Sequence, residues 1–583
     1  MTRPVTDFNA MVAGQGGDGS LTVITLLGNL LARRGFHLYT SRNVGSQVKG
    51  GHTAGLLRGT MVPRTGMGDS IDVFIAFDAE AIEKGGSRVA QDGFVVYDSS
   101  GGPLPDGHLS DGVTVLEIPF GRLAVRDLRR ELFKNSFALG VISRILTIDD
   151  ADTAAVIKAR FAAKPELVDP NLQAMIEGFA YADEHDMAEG AGPIRLAKVK
   201  ADDRILITGN DAAALGFLVA GVRFFAGYPI TPATEILDFM TRHIEAYGGV
   251  AVQAEDELAA VNMALGAALT GVRSLTATSG PGISLMQEAV SHAGSAEIPL
   301  VVVDAQRAGP STGMPTKSEQ SDIAMLIHGG NGDFPRIVLA AGNATDAFEL
   351  AVIATNLSQR IQGPVYLMLD QTVSQDSSTV PPFDLTTIEI DHGRRLNQHQ
   401  LDVIGEYRRY SITDDGVSPW AMPGMPDGMS LVTGNEHDEW GKVSTEPRNR
   451  VDMMDKRARK TDAVLDDLPS GHRFGDDAST VGILGVGMQS GVMRETVELL
   501  ASDGIELAGL QPRTIWPVPA ETLAFVASKE RVYVVEHNHS GQLAQILESV
   551  GHSTDTMRSI LKYDGIAFTP LELADRIRTG EAG

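Results

Sequence analysis

Short apolar runs alternate along most of this 583-residue chain with stretches in which apolar positions return every three or four residues. That is the rhythm of strands joined by amphipathic helices, and it predicts an α/β protein. An apolar strand at residues 10–13 leads into GQGGDG (14–19), then into a helical pattern with Val23, Leu27, Leu30 and Leu31 on one face. The runs SIDVFIAF, GFVVYD and VTVLEIPF follow, separated by helices or glycine turns, and predict a doubly wound layer ending near residue 185. The small, polar stretch HDMAEGAGPIRLAKVKADDR reads as a linker.

The alternation is clearest from RILITGN onward. Helix 211–220, a short strand, the turn YPITP, helix 233–246, strand VAVQAE, helix 256–270, strand RSLTATS, the turn SGPG, helix 283–294 and strand PLVVVDAQ succeed one another. Strands linked by helices imply a parallel sheet, whose ligand lies beyond the strands' carboxyl ends. YPITP, the QAED junction and SGPG all fall at such ends. Between 395 and 475 the periodicity fades into Met-, Pro-, Asp- and His-rich sequence with one polar helix around 448–466. A connection this long reads as an arm, a lid, a partner contact or a plain surface connection. A last α/β unit runs from TVGILGVG through IELAGLQPRTIWPVP and RVYVVEH. The expected layout is a first domain at 1–188, a linker at 189–203, a second domain at 204–395, an arm at 396–475 and a third domain at 476–583, the three domains each doubly wound.

Composition narrows the ligands. Acidic residues number 75 against 49 basic ones, a net charge of −26, which disfavours nucleic acid and anionic membranes as partners. There is no cysteine, so this chain supplies no disulfide, thiolate zinc site or iron–sulfur ligand of its own. The N-terminus has no apolar run of signal-peptide length and no apolar stretch is long enough to span a bilayer, so the expected location is cytoplasmic.

Candidate chemistry gathers at a few places. GQGGDG, with Gly16, Gly17 and Gly19 between a strand and a helix, offers backbone N–H groups to a phosphate, or is simply a tight turn. A nicotinamide site would want an acid closing the next strand, FHLYTSR, which has none. The nearby loop SRNVGSQVKGGHT, with Arg42 and Lys49 at the same sheet edge, suits a polyphosphate or solvent equally. Asp256 and Glu257 are explained by helix capping, whereas Glu255 is not and is free to face a pocket. Arg307 ends a buried strand and opens RAGPSTGMPT, with Ser311 and Thr312; it suits bidentate capture of a carboxylate, or an ion pair with a neighbouring acid. In EHNHS, His537 and His539 lack an evident third ligand, which makes a surface or interface pair more natural than a metal site.

YPITP, QAED, TSGPG and DAQRAGPSTGMPTKSEQSD, in that order, resemble the alpha subunit of 2-oxoacid:ferredoxin oxidoreductases, in the form with a gamma-type domain fused ahead of it. GQGGDG with YTSRNVGSQVKGGH is similar to that gamma-type domain. The resemblance implies a thiamine-pyrimidine-type second domain and a transketolase C-terminal-like third domain. It also implies thiamine diphosphate-dependent decarboxylation of a 2-oxoacid, electron transfer through iron–sulfur clusters to ferredoxin, and formation of an acyl-CoA. By the same resemblance Glu255 touches the aminopyrimidine and, buried beside the ring, has a raised pKa. Pro229, Ile230, Gly280 and Gly282 line the cofactor; Tyr228 and Thr231 lie on the substrate side; Arg307 holds the substrate's 1-carboxylate; Ser311, Thr312 and Lys317 belong to the substrate loop. Gly16, Gly17, Gly19, Arg42 and Lys49 are the candidate coenzyme A contacts.

One departure bears on assembly. The family's GDG motif with its paired asparagines holds the diphosphate and Mg²⁺; here GDG lies at 17–19, in the first domain, and Asn43 is unpaired. The resemblance therefore implies a separate beta subunit carrying the diphosphate site, the Mg²⁺ and the cluster cysteines, in a dimer of alpha–beta units. The fused architecture favours 2-oxoglutarate, with pyruvate or a broad 2-oxoacid range as alternatives. A nicotinamide oxidoreductase and a non-catalytic scaffold are the rivals from outside the family.

Overall fold

A computed structural model of the chain describes residues 5–44, 51–128, 133–185, 187, 194–551 and 555–580. The chain folds as two compact units, Met1–Leu206 with Asp376–Pro382, and Ile207–Gln375 with Phe383–Gly583.

Strands are numbered along the chain. The first unit contains β1 (Asp7–Gln15), β2 (His37–Val44), β3 (His52–Thr60), β4 (Ile71–Ala76), β5 (Val89–Asp98), β6 (Thr114–Ile118) and, from far along the sequence, β14 (Ser377–Val380), in the order β6-β5-β4-β1-β3-β2-β14. Ala10 and Val12 of β1 pack with Val23, Leu27, Leu30 and Leu31 of the helix Ser20–Arg33, while Met11 and Ala13 pack on the opposite face with Ala81 and Ile82. Burial on both faces is why β1 reads as an unbroken apolar run. The expectation of a doubly wound layer holds for β1, β4, β5 and β6, which are parallel; β3 runs antiparallel to β1 and β2, and β14 antiparallel to β2. The sequence between β2 and β3 is too short for the crossover that a parallel pair requires, and the two strands pair antiparallel.

The second unit contains two sheets. The larger is ordered β18-β12-β13-β11-β10-β8-β9, from β8 (Phe224–Gly227), β9 (Val250–Gln253), β10 (Ser274–Thr278), β11 (Leu300–Gln306), β12 (Ile337–Ala340), β13 (Pro364–Asp370) and β18 (Thr514–Trp516). All are parallel except β18. The smaller sheet, β15-β17-β16-β19-β20, comprises β15 (His472–Gly475), β16 (Val481–Gly485), β17 (Ala508–Gln511), β19 (Arg531–Glu536) and β20 (Met557–Leu561), with only β15 antiparallel. Ile283, Leu300 and Val302 share one buried cluster with Leu484, Phe525 and Leu543, so the two sheets have a common core. The helix expected from 283 begins at Gly280: the SGPG prolyl-glycyl segment forms its first turn, where a proline lacks no needed donor.

The segment 396–475 is anchored to the larger sheet's domain. Its polar helix, Pro447–Asp462, buries Met453, Lys456, Arg457 and Lys460. Lys456 and Lys460 each place Nζ 2.5 Å from a carboxylate oxygen of Glu297, and all three side chains are inaccessible to solvent. Arg409 donates to the Glu297 carbonyl (2.6 Å) and to Gln362 Oε1 (3.0 Å). Burial works to raise the Glu297 pKa, but the two ammonium groups overcome it and hold the carboxylate ionised. Burial pushes Lys460 down to about 7.

Candidate active site

Because β11, β10, β8 and β9 are neighbours and parallel, their carboxyl ends bring the YPITP turn, Glu255, the first turn of helix Gly280–Ser295 and Arg307 to one sheet edge. The turn is held from beneath: Asn210 Nδ2 donates to the Pro232 carbonyl and to Glu235 Oε2, both at 2.7 Å. Tyr228 is exposed, and Pro229, Ile230 and Thr231 are half-buried. Arg307 Nη1 donates to the Thr231 carbonyl at 2.8 Å, tying the strand-end arginine to the turn.

Arg307 is 7% exposed, its Nε has no hydrogen-bond partner, and it makes no ion pair with any of the described residues. The ion-pair reading of this arginine is thereby set aside. Burial lowers its pKa, opposed in part by the charges of Asp322 and Glu257. One of these carboxyls, Asp322, also acts on Asp304. Asp304, at the end of β11, is pushed well up by burial and by Asp322; Asp322 is pushed up to about 7 by burial and Glu319, against the pull of Arg307. Arg307 therefore makes no contact ion pair among the described residues, and only the charges of Asp322 and Glu257 act on it from a distance. The hydroxyls of Thr278 and Ser279, Gln306 Nε2, both Asp304 oxygens and Asp322 Oδ2 are also buried without hydrogen-bond partners.

Asp256 caps the helix Glu257–Leu269, its Oδ1 accepting the Ala259 N–H at 2.7 Å, as the capping reading expects. Glu257 is buried, and Glu255 is exposed along with Gln253. The expected burial of Glu255 is therefore not achieved within this chain. The reason lies in topology: β9 is the edge strand, and the following helix leaves Leu258 (45%) and Met263 (42%) open to solvent, as does Leu285 (48%) of the next helix. Gly280 and Gly282 are buried against their own chain. A Cβ at Gly280 would lie 2.5 Å from Asp322 Oδ2, and one at Gly282 would lie 2.0 Å from Thr278 Oγ1 and 2.6 Å from Glu257 Cγ. Their absent side chains let the helix's first turn descend onto these groups.

The loop after Arg307 folds back on itself. Ala308 N–H donates to the Lys317 carbonyl and Met314 N–H to the Ala308 carbonyl, both at 2.9 Å. Ser311 and Thr312 sit exposed at its tip, with Ser311 at φ 59° and Gly313 at φ 50°. Lys317 is half-buried and packs against Gly565. Sequence reasoning missed Gln320 at the far end of this loop, which is fully buried and donates from Nε2 to Asp370 at the end of β13 and to the Val486 carbonyl just beyond β16. Its partners are distant in sequence, so no local pattern marks it.

In the first unit, the β1 turn carries Gly16, whose N–H donates to the Gly51 carbonyl at 2.8 Å. Gly17 has φ 104° and open space where a side chain would stand. Gly19, at φ 84°, caps the helix Ser20–Arg33 and makes room for Asn135. Arg42 is exposed on β2, paired in register with Gly55 of β3; the expected loop thus contributes its first residues to a strand interior to the sheet, between β3 and β14. Lys49 lies outside the described residues. His537 is fully buried with Nε2 2.7 Å from the Ile566 carbonyl, a correction to the surface reading, and burial pushes its pKa down to about 4. His539 is exposed and stacks edge-on against Tyr563. Among the described residues no group of acids and histidines is arranged to hold a metal ion, and no helix is long and apolar enough to cross a membrane.

Residues 216–456 match the thiamine diphosphate-binding family of pyruvate flavodoxin/ferredoxin oxidoreductases. Residues 9–181 match the pyruvate ferredoxin/flavodoxin oxidoreductase family, and 479–573 match pyruvate:ferredoxin oxidoreductase core domain II. Fold and site together define an oxidoreductase of the thiamine diphosphate-binding class. A 2-oxoacid:ferredoxin oxidoreductase alpha subunit from Sulfolobus sp is 30% identical, over 97% of this chain and 96% of its own. The 2-oxoglutarate oxidoreductase subunit KorA of Mycobacterium tuberculosis is 30% identical over 88% of this chain and 82% of its own. Among solved structures, the 2-oxoglutarate:ferredoxin oxidoreductase from Magnetococcus marinus, with 2-oxoglutarate, coenzyme A and succinyl-CoA bound, is 35% identical, covers 99% of both chains and superposes with a TM-score of 0.92. The chain belongs to the 2-oxoacid:ferredoxin oxidoreductase family, as an alpha subunit.

Proposed function

We propose that this chain is the alpha subunit of an enzyme that converts 2-oxoglutarate and coenzyme A to succinyl-CoA and CO₂, passing electrons to ferredoxin. The observation that carries the reading is Arg307: a nearly buried guanidinium, tied to the YPITP turn, without an ion-pair partner among the described residues and with an unused Nε donor. Such a group suits a planar carboxylate. Thiamine diphosphate supplies, when bound, a carbon nucleophile and an acceptor for the electrons that the departing carboxylate leaves behind.

Glu255, beyond β9, holds and exchanges a proton at the aminopyrimidine N1′, with Pro229 and Ile230 alongside it. Arg307 fixes the 1-carboxylate, Tyr228 and Thr231 lie beside the reacting carbons, and Ser311, Thr312 and Lys317 face the substrate's remaining length. Gly280 and Gly282, which pack against Asp322, Thr278 and Glu257, contribute by bringing the helix's first turn close to the cofactor. The exposed Glu255, flanked by exposed Leu258, Met263 and Leu285, fits a half-site that a second subunit covers. In this reading the beta subunit supplies the Mg²⁺ and diphosphate site and the iron–sulfur cluster, and two alpha–beta units pair. Gly16, Gly17 and Gly19, with Arg42 and Lys49, are the proposed coenzyme A contacts, and the enzyme works in the cytoplasm.

Anaerobic purification of the chain with its partner tests this. The expected product contains a cysteine-bearing subunit, thiamine diphosphate and cluster absorbance, and reduces a viologen dye fastest with 2-oxoglutarate plus coenzyme A. Equal or faster reduction with pyruvate would replace the substrate by the broad-specificity alternative. A solitary chain without thiamine would overturn the proposal.

A further inference from the structure

Gln320 is fully buried, and every one of its polar groups is engaged by the smaller sheet or by the end of β13. Its N–H donates to the His537 carbonyl at 2.7 Å, and its carbonyl accepts from Asn538 Nδ2 at 3.1 Å. Its Oε1 accepts the His537 N–H at 3.3 Å, while Nε2 donates to Asp370 Oδ2 at 3.0 Å and to the Val486 carbonyl at 2.9 Å. Only an uncharged amide supplies this set, since a carboxylate would set a second negative oxygen against Asp370. The receiving segment is itself fixed: Asn538 donates to Glu536 Oε2 (2.9 Å) and accepts the Gly541 N–H (2.7 Å). A second stitch follows, Gln542 Nε2 donating to the Ser321 carbonyl at 2.7 Å and Oε1 accepting the Ala324 N–H at 2.9 Å.

The loop that ends at Gln320 begins at Arg307. Between them it also touches the smaller sheet's domain at Ser318, whose Oγ lies 3.1 Å from Met488 Sδ, and at Gly565 (φ 77°), where a Cβ would stand 2.8 Å from Lys317 Cβ and 3.2 Å from Met314 Cε. Its exposed tip is thus located from behind, by groups that never meet the open edge of the site. We propose that Gln320 is the positioning residue of this loop: with the Gly565 turn, it sets how far Ser311, Thr312 and Lys317 stand from Arg307, and so which length of 2-oxoacid the site takes. The inference rests on the reading that Arg307 and its loop contact the 2-oxoacid.

The test uses the assembled complex. Gln320→Ala should raise the KM for 2-oxoglutarate about tenfold while leaving kcat within about threefold, since small misplacements of binding groups weaken orientation. It should narrow the preference for 2-oxoglutarate over pyruvate and speed amide exchange across 308–319, with β10 and β11 still protected. Gly565→Ala presses a methyl group onto Lys317 from the far side of the turn, leaving Gln320 itself intact, and should give the same KM-selective change. If both variants keep the parent KM and substrate preference, the positioning role is refuted. If Gln320→Ala merely lowers the melting temperature and Gly565→Ala leaves KM unaltered, the residue is structural and the proposal also fails. Arg307→Ala separates the underlying reading: full activity there removes the substrate assignment itself, whereas a loss there with parent-like Gln320 and Gly565 variants removes only the positioning role.

Discussion

Truncation of Arg307 to alanine removes a cation that is 7% exposed and has one hydrogen bond, to the Thr231 carbonyl. At an effective dielectric of ~20, a carboxylate ~4 Å from the guanidinium gains about 4 kcal/mol by Coulomb attraction alone. The substrate leaves water to reach it, so the net value of a charge-assisted pair, about 1.5–3 kcal/mol, is the better guide. Loss of the Thr231 carbonyl's partner adds about 1 kcal/mol by loosening the turn. The sum, about 2.5–4 kcal/mol, corresponds to a fall in kcat/KM on the order of 10²- to 10³-fold. Arg307→Lys keeps the charge but not the fork and should fall between that variant and the parent. Steady-state dye reduction by the assembled complex under anaerobic conditions measures both, with thiamine content and melting temperature as controls for folding. An Arg307→Ala complex within threefold of the parent on every 2-oxoacid would refute the reasoning.

Three further outcomes follow from the same structure. Glu255→Gln should reduce turnover on the order of 10²-fold or more while leaving thiamine content near parent level; unchanged turnover would remove the proton-exchange role. Asp322, raised to about 7 in the folded chain, holds a proton that the unfolded chain has lost above the ordinary aspartate range, so it makes stability fall as pH rises from about 4 toward 7. Asp322→Asn should flatten that slope in thermal melts, and an unaltered slope would place the titration elsewhere. Lys456→Met leaves Glu297 with a single buried ammonium partner and should cost about 3–5 kcal/mol in denaturant unfolding, since breaking a buried ion network strands a charge; a loss under 1 kcal/mol would count against that account.

The alternation between residues 204 and 375 was readable because each strand there is followed by its own helix, and parallel pairing then forces YPITP, QAED, SGPG and Arg307 to one edge. What escaped were contacts whose signal is non-local. Strand β14 joins β2 from more than three hundred residues away, as the hydrogen bond from Tyr39 to Asp376 shows, and nothing in SSTV announces that destination. Lys456 and Lys460, one helical turn apart, look like an ordinary solvated face until Glu297 is seen between them. Glu255 stood out because helix capping did not account for it, but its exposure was not legible, because strand order rather than local sequence puts β9 at the sheet's edge. Gln320 carries no chemical signature of its own; only its complete set of partners identifies it.

The Glu297 cluster also orders events during synthesis. Its carboxylate sits at the end of a helix in the larger sheet's domain, but its cation Lys456 lies 159 residues later in the chain. A ribosome adding about 5–20 residues per second needs roughly 8–30 s to cover that interval. Throughout it, closing the domain around Glu297 would bury a lone anion, so water keeps access to that corner until the arm's helix emerges. Within the larger sheet's domain only β18 is laid down after the arm, and a chain truncated before residue 456 leaves the nascent domain open at that point.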